Sequence, residues 1–306
     1  MSALLAGKQA EGASKGYFSG HANRRGRQLG RVTASLYDES VGEKLYPGTR
    51  QLETNLPELI ELAETVLALD ENRRKRTILR VDAGGGTEAN INFWLARGYG
   101  GITKTKNWQR TAKLLQTVTT WTAVPGLPEH ECGWVGAPQA YVAATRQLAL
   151  RWPNPKKGGW SAWGRVGNLS NAALFELAPR PLPASLTELN LCARARVIAA
   201  YDRRGGGAET SFKNSQQGLG LHQRNKKHFH AQEMLIGLAQ FAYNLPGWVQ
   251  QELAQHSAPL ATFGTLRLIR DACHIAGRLD FDPAGQLIAI TLNQIPLGKL
   301  AQVFQA

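Results

Sequence analysis

The run ILRVDAGGGTEANINFWLARGYGGITKT, from Ile78 to Thr105, leaves this chain few folds to choose from. Thr77 to Asp82 is short and apolar and ends in an acid, which predicts a buried strand. Gly84, Gly85 and Gly86 predict a tight turn. Thr87 is a suitable N-cap for a helix over Glu88 to Arg97, and Tyr99 to Lys104 predicts the next strand. Upstream, Leu56, Leu59, Ile60, Ala63, Val66 and Leu67 recur at helical spacing, so residues 52–69 predict a helix. Helix, strand, helix, strand over 52–104 implies an α/β core.

The remaining segments are arranged around that unit. Residues 1–30, punctuated by Gly7, Gly12, Gly16, Gly20 and Gly26, read as loop, and residues 28–37 as a strand. Tyr46-Pro-Gly-Thr reads as a turn. From Lys106 to Pro183 the character changes. Tryptophans become dense (Trp108, Trp121, Trp134, Trp152, Trp160, Trp163), short Thr/Val runs alternate with Pro/Gly turns, and long helical periodicity is lost. This predicts a β-rich insertion. Thr187 to Ala200 and Phe229 to Leu245 predict helices, residues 264–276 another, and residues 287–292 a final strand. There is no internal repeat and no low-complexity tract.

The 306 residues are enough for a sizeable core in one large domain or two small ones. No apolar run is long enough for a membrane span. The apolar patch near Met1 is too short for a secretory signal and has no charged region before it. Cys132, Cys192 and Cys273 form no CxxC pair, so a zinc site is not expected and a reducing, cytoplasmic setting is. The formal net charge is +13. The positive residues cluster at Arg24-Arg25-Gly-Arg27, Arg73 to Arg76, Lys156-Lys157, Arg203-Arg204 and Arg224-Asn-Lys226-Lys227. Such clustering favours a polyanionic partner, nucleic acid first, over a membrane surface.

Two places carry the chemistry. Asp82 ends a core strand, where functional residues of open α/β sheets gather; the alternative is an aspartate that caps its own turn. The stretch YDRRGGGAETSFKNSQQGLGL begins at Tyr201. If Ala208 to Gln217 is helical, Glu209, Phe212, Lys213 and Gln216 share neighbouring faces. A carboxylate flanked by Arg204 and Lys213 suits a metal ion meeting a phosphate, and reads equally as an ordinary surface ion pair. Gly84 to Ala89 loosely fits a dinucleotide-binding turn, but the acid expected about twenty residues on is missing. His222, His228 and His230 lack partners at metal-ligand spacing. The tryptophans could stack on bases or simply fill a core.

The residues 77–104 together with YDRRGGGAETSFK and GLGLHQRNKKHFHAQEMLIGLAQFAYNL resemble the DDE transposases of bacterial insertion sequences. They are similar to the branch with a Tyr, Arg, Glu, Lys signature on its last catalytic helix. The resemblance implies a ribonuclease-H-like mixed sheet flanked by helices, with a β-rich insertion before that helix. It divides the chain at 1–105 (core, first strand missing), 106–184 (insertion), 185–246 (core with the glutamate helix) and 247–306 (extension). It implies an enzyme that cleaves and joins DNA strands at transposon end repeats with two Mg²⁺ or Mn²⁺ ions. Asp82 and Glu209 would be the catalytic and metal-binding pair. Tyr201, Arg204 and Lys213 match the signature, and Arg24, Arg25, Arg27, Arg224, Lys226 and Lys227 add a DNA-binding surface. A homo-oligomer on double-stranded DNA, close to the bacterial nucleoid, fits the same picture. There are departures: Gln216 stands where a later lysine is usual, and the arginine-to-glutamate gap is one residue longer. The family's first aspartate would also precede Met1, which implies a truncated, inactive chain. A DNA-binding remnant that does not cut, and a dinucleotide-dependent oxidoreductase, are the alternatives.

Overall fold

The computed structural model describes residues 2–4, 10–18, 24–156, 158–177, 193–202, 226–256, 258–270 and 277–292. The chain opens with β1 (Ser2–Leu4), β2 (Ser14–Lys15), β3 (Arg25–Ala34) and β4 (Glu39–Pro47). Then come α1 (Leu52–Val66), α2 (Glu71–Lys75), β5 (Ile78–Val81), α3 (Glu88–Ala96), β6 (Gly100–Lys104) and α4 (Trp108–Gln116). Strands β7 (Thr122–Ala123), β8 (Glu131–Trp134), β9 (Arg146–Pro153) and β10 (Trp160–Gly167) precede α5 (Asn171–Leu177) and α6, residues 193–202. The long α7 (Phe229–His256), the short α8 (Thr265–Leu268) and a hairpin of β11 (Gly277–Phe281) and β12 (Leu287–Leu292) follow.

This is a mixed α/β protein. Its main sheet has six strands in the order β5-β6-β10-β9-β8-β7, and a smaller antiparallel sheet is built on β3. β5 and β6 run parallel, as a strand–helix–strand unit requires, and the other pairs of the main sheet are antiparallel. Register decides which side chain meets which layer. Val81, Thr103 and Val166 form one row, and Val81 and Val166 pack with Ile91, Trp94 and Leu56 under α1 and α3. Ile102 and Leu148 point the other way, into a core with Leu174, Ile198 and Tyr201 of α5 and α6. Helices thus cover both faces of the sheet.

α1 and α3 are joined at a defect in α1. Pro57 has no N–H to give to the Glu53 carbonyl one turn back, so that carbonyl would go unpaired within the helix. The Asn90 side chain, 3% exposed, donates to it at 2.9 Å. Thr87 caps α3 as its sequence predicts, accepting from the Asn90 N–H.

Several expectations need correction. Residues 1–30 are not all loop: β2 lies there, and β3 starts at Arg25 rather than at residue 28. Its partner β4 was not expected. At Gly30, inside β3, a Cβ would come within 2.7 Å of Leu59, so the glycine lets α1 lie flat on the strand. α4 interrupts the segment expected to be all strands and turns, and is started by Asn107, whose side chain accepts from Arg110 N–H. The strands of that segment extend the core sheet, because β10 pairs with β6. α7 continues past the expected end at Leu245, through Pro246, to His256. Among the described residues no helix is long and apolar enough to cross a membrane.

Candidate nucleic-acid interface

Asp82 follows the last residue of β5. Val81 stands opposite Thr103, and the next residue of β6, Lys104, stands opposite Arg165 of β10. Asp82, Lys104 and Arg165 therefore form a row across three neighbouring strands where β5 and β6 end. Side chains in such a row share one face of the sheet, here the face that α6 covers.

Asp82 is exposed, and its Oδ1 accepts the Ala83 N–H at 2.8 Å, which caps the short 3₁₀ turn Ala83–Gly85. Beside it, the Lys104 ammonium lies 5.1 Å from the centre of the Tyr201 ring and 5.2 Å from that of Trp163. The Arg165 guanidinium, 2% exposed, lies 4.4 Å from the Tyr201 ring, and its Nη2 is 3.6 Å from Asp202. Two cations on one aromatic ring hold that ring rigidly. This corrects the expected role of Tyr201. It is 2% exposed, packed with Ile102, Leu148 and Ile198, and does not face a DNA surface.

Asp202 is the last described residue before Arg204 and Glu209. β10 lies two strand spacings from β5, roughly 10 Å sideways. Arg204, Glu209, Lys213 and Arg224 all lie outside the described residues. Among the described residues, no three His, Cys, Asp or Glu side chains come together as a metal-holding group.

The basic clusters that flank β3 and α7 lie at the same end of the molecule. Gly84, two residues after Asp82, packs against Leu52 at the start of α1. The chain just before α1 is tied to the N-terminal segment by Gly48 N–H donating to Gly12 O at 3.3 Å. Arg25 donates to Ala13 O in that segment. Arg24, Arg25, Lys15, Lys226 and Lys227 are all exposed there. Lysine and arginine side chains on one rim are the electrostatic footprint of a phosphate backbone.

Arg27 is the exception, and a second correction. It is fully buried. Its Nε donates to Glu11 O at 2.7 Å, Nη1 to Lys226 O at 2.9 Å and Nη2 to Lys227 O at 3.0 Å. The guanidinium also sits over the Phe229 ring. Glu11 completes the clasp. Its carboxylate accepts the Phe229 N–H at 2.7 Å at the start of α7 and lies 3.0 Å from His228 Nδ1. The Phe229 N–H first, and His228 second, hold the Glu11 carboxyl below its usual range. Arg27 therefore fixes how the chain enters α7 and, being fully buried, does not present its charge at the surface.

Most of the tryptophans are engaged within the protein, whereas Trp108 is 75% exposed. Arg151 lies 3.9 Å from the Trp121 ring and 4.4 Å from that of Trp160, Arg146 lies 4.5 Å from Trp134, and His130 stacks on Trp152. Of the three histidines, His230 pairs with Glu233, and His222 lies outside the described residues. A side chain at Gly86 would collide with the Lys104 carbonyl, so close packing of the turn on β6 accounts for that glycine.

Sequence reasoning missed Lys104 and Arg165. The first had a signal, since parallel pairing of two strands of known ends sets Lys104 beside Asp82. The second depended on an antiparallel register that the sequence does not encode locally. No model of a known protein family matches this chain, and no curated protein matches it.

Proposed function

We propose that this protein acts on DNA phosphodiesters in the manner of an insertion-sequence transposase, on a ribonuclease-H-like core. The observation that carries the proposal is the row Asp82, Lys104, Arg165 where β5 and β6 end. An exposed carboxylate in one row with two cations, near a basic rim, suits a phosphate held against a metal ion.

Asp82 and Glu209 supply the hard oxygen donors that Mg²⁺ or Mn²⁺ prefers. A bound pair of such ions would activate a water or a 3′-hydroxyl and neutralise the leaving oxygen. The chain's own residues do the rest. Lys226, Lys227, Arg24 and Arg25 neutralise backbone phosphates and orient the duplex. Arg165, pinned by Tyr201 and Asp202, keeps positive charge at the end of the sheet without moving. Arg204, Lys213 and Arg224 extend this surface in the same reading.

The test is a cleavage and strand-transfer assay on DNA bearing insertion-sequence ends, with Mg²⁺ or Mn²⁺, beside binding measured at several salt concentrations. In a chain extended upstream to restore the family's first aspartate, Asp82→Asn and Glu209→Gln are expected to abolish cleavage and leave binding intact. Affinity should fall steeply with salt, by about 0.9 in logarithmic slope for each phosphate neutralised. Cleavage that survives both substitutions would refute the chemistry, and binding indifferent to salt would refute the surface. A second reading, DNA binding without cutting, is favoured by one observation: Asp82 already has a structural duty in capping its own turn. It predicts salt-sensitive binding, no cleavage by the unaltered chain, and a stability loss as the only effect of Asp82→Asn.

A further inference from the structure

The main sheet reaches past the Asp82 row. β9 and β10 run on beyond the end of β6, and Trp160, where β10 begins, lies roughly 16 Å along the strand from Arg165. The two are an odd number of residues apart, so Trp160 is on the opposite face from the row. Arg151, Pro153 and Glu131 share its face, since Pro153 pairs with Trp160 and Arg151 with Glu131. α4 covers that face as far as Leu114 on Ala149. Beyond it lies a cavity of about 580 Å³, walled by Trp160, Pro153 and Glu131 and by Leu127, Pro128 and Glu129 of the loop between β7 and β8.

Both walls are braced. In the loop, Val124 N–H donates to His130 O at 2.9 Å, Leu127 N–H to Val124 O at 3.1 Å and His130 N–H to Leu127 O at 3.3 Å. The Pro128 carbonyl can only accept, so His130 Nδ1, 2.8 Å away, is its donor. The sheet wall is fixed by Arg151, which is held by the Trp121 and Trp160 rings and donates from Nε to Glu131 at 2.7 Å. Trp160 remains 53% exposed. A preformed concave site of this size, mostly apolar with a few polar groups, suits a whole small molecule. Charge selects which one. The chain has 36 lysines and arginines against 23 acids, yet among the described residues no cation lines the cavity and two glutamates do. Glu131 is matched by Arg151. Glu129 has no hydrogen bond or ion pair among the described residues, and its φ of +60° is a conformation that glycine or asparagine adopts more easily. The loop thus holds an unmatched carboxylate at an apolar cavity at a conformational cost.

We propose that this cavity is a binding site for a small organic cation, an ammonium or guanidinium group on an apolar body. Trp160, Leu127 and the two prolines receive the body. The indole attracts the cation, and Glu129 neutralises it. A phosphate or a carboxylate would instead meet Glu129 as a like charge, so the cavity is no extension of a DNA surface. Its place on the other face of the sheet says the same.

The proposal stands apart from the DNA reading, because it is tested on the full chain without DNA. Benzylamine, benzyl alcohol and benzoate share one apolar body and differ in charge, and ligand-observed NMR titration ranks them. Benzylamine should bind with a dissociation constant of about a millimolar or below, benzyl alcohol about fivefold more weakly, and benzoate not at all. Trp160→Ala and Glu129→Gln should each weaken benzylamine about fivefold. Glu129→Gly removes the carboxylate and the strained backbone together, so it should melt no lower than wild type and still lose benzylamine affinity to the same extent. That variant keeps a loss of binding distinct from a loss of fold. Absence of benzylamine binding at about 10 mM would overturn the site. Benzyl alcohol binding as tightly as benzylamine would overturn the selection for charge. Benzylamine affinity unchanged by both Trp160→Ala and Glu129→Gln would place the cation elsewhere on the chain.

Discussion

Replacing Arg27 by Met separates two roles that the sequence alone assigns to the same arginine. The structure gives its guanidinium three carbonyl acceptors, on Glu11, Lys226 and Lys227. Burial lowers the Arg27 pKa and the nearby Glu11 carboxylate opposes that shift, so the charge is kept at neutral pH. A hydrogen bond from a charged donor contributes roughly 1.5–3 kcal/mol, and truncation also strands the acceptors. Three such bonds are not additive, and loss of a buried charged network typically costs about 3–5 kcal/mol. Arg27→Met should therefore lose about 3–5 kcal/mol, a large share of the roughly 5–15 kcal/mol that holds a native domain. Arg27→Lys should fall between, because one ammonium cannot span three divergent acceptors. Urea unfolding measures the loss. DNA affinity against salt, measured where the variant is still folded, measures the other role. The slope should match wild type for Arg27→Met and become shallower by about 0.9 for Arg25→Ala. The clasp would be refuted if Arg27→Met cost less than about 1 kcal/mol while flattening the slope as a phosphate contact does.

Asn90→Leu removes the donor to the Glu53 carbonyl that Pro57 leaves without an intrahelical partner. It should cost about 1–3 kcal/mol in urea unfolding, and a neutral result would mean that water serves that carbonyl equally well. Gly30→Val should cost about 1–3 kcal/mol by pushing α1 off β3, again read from unfolding curves. Acid lability should follow Glu64. The Arg97 hydrogen bond holds its carboxyl below the usual range, helped by the Tyr99 hydroxyl and by Arg74 and opposed by burial. The native form thus binds its proton at lower pH than the unfolded chain. The stability this gives is present at neutral pH and drains from about pH 5 downward. Glu64→Gln should be less stable at neutral pH and show a flatter melting-temperature profile in acid; parallel profiles would remove Glu64 from the account.

The parts of the fold legible in the sequence are those where local pattern and tertiary use coincide. α1, β5, α3 and β6 carry their own periodicity, turn and cap, so their places were readable within a few residues. β3 was half seen and β4 not at all. Gly30 and Gly42 lie where α1 packs close on the strands, and glycine spacing alone cannot distinguish a bend from a close approach. α7 shows the same limit from the other side. Pro246 signals a stop, yet the helix runs on to His256, where tertiary packing outweighs the missing hydrogen bond.

The site divides along the same line. Asp82 was found because strand ends are marked in sequence. Exposed Lys226 and Lys227 were found because runs of charge are mostly solvated. Arg27 sits in an identical-looking run, RRGR, and is buried. Strand alternation puts Arg25 and Arg27 on the same side of β3, but only Arg27 is enclosed, and the acceptors that make a buried guanidinium tolerable come from Glu11 and from residues almost two hundred positions away. Tyr201 was misread for a related reason. Its neighbours in sequence are charged and suggest a surface, whereas its neighbours in space, Arg165 and Lys104, are cations that use its ring as a wall. In a chain this basic, the question each arginine poses is which carbonyls or rings already hold it. Cations that are so held shape the cleft, and only the remainder can meet a phosphate.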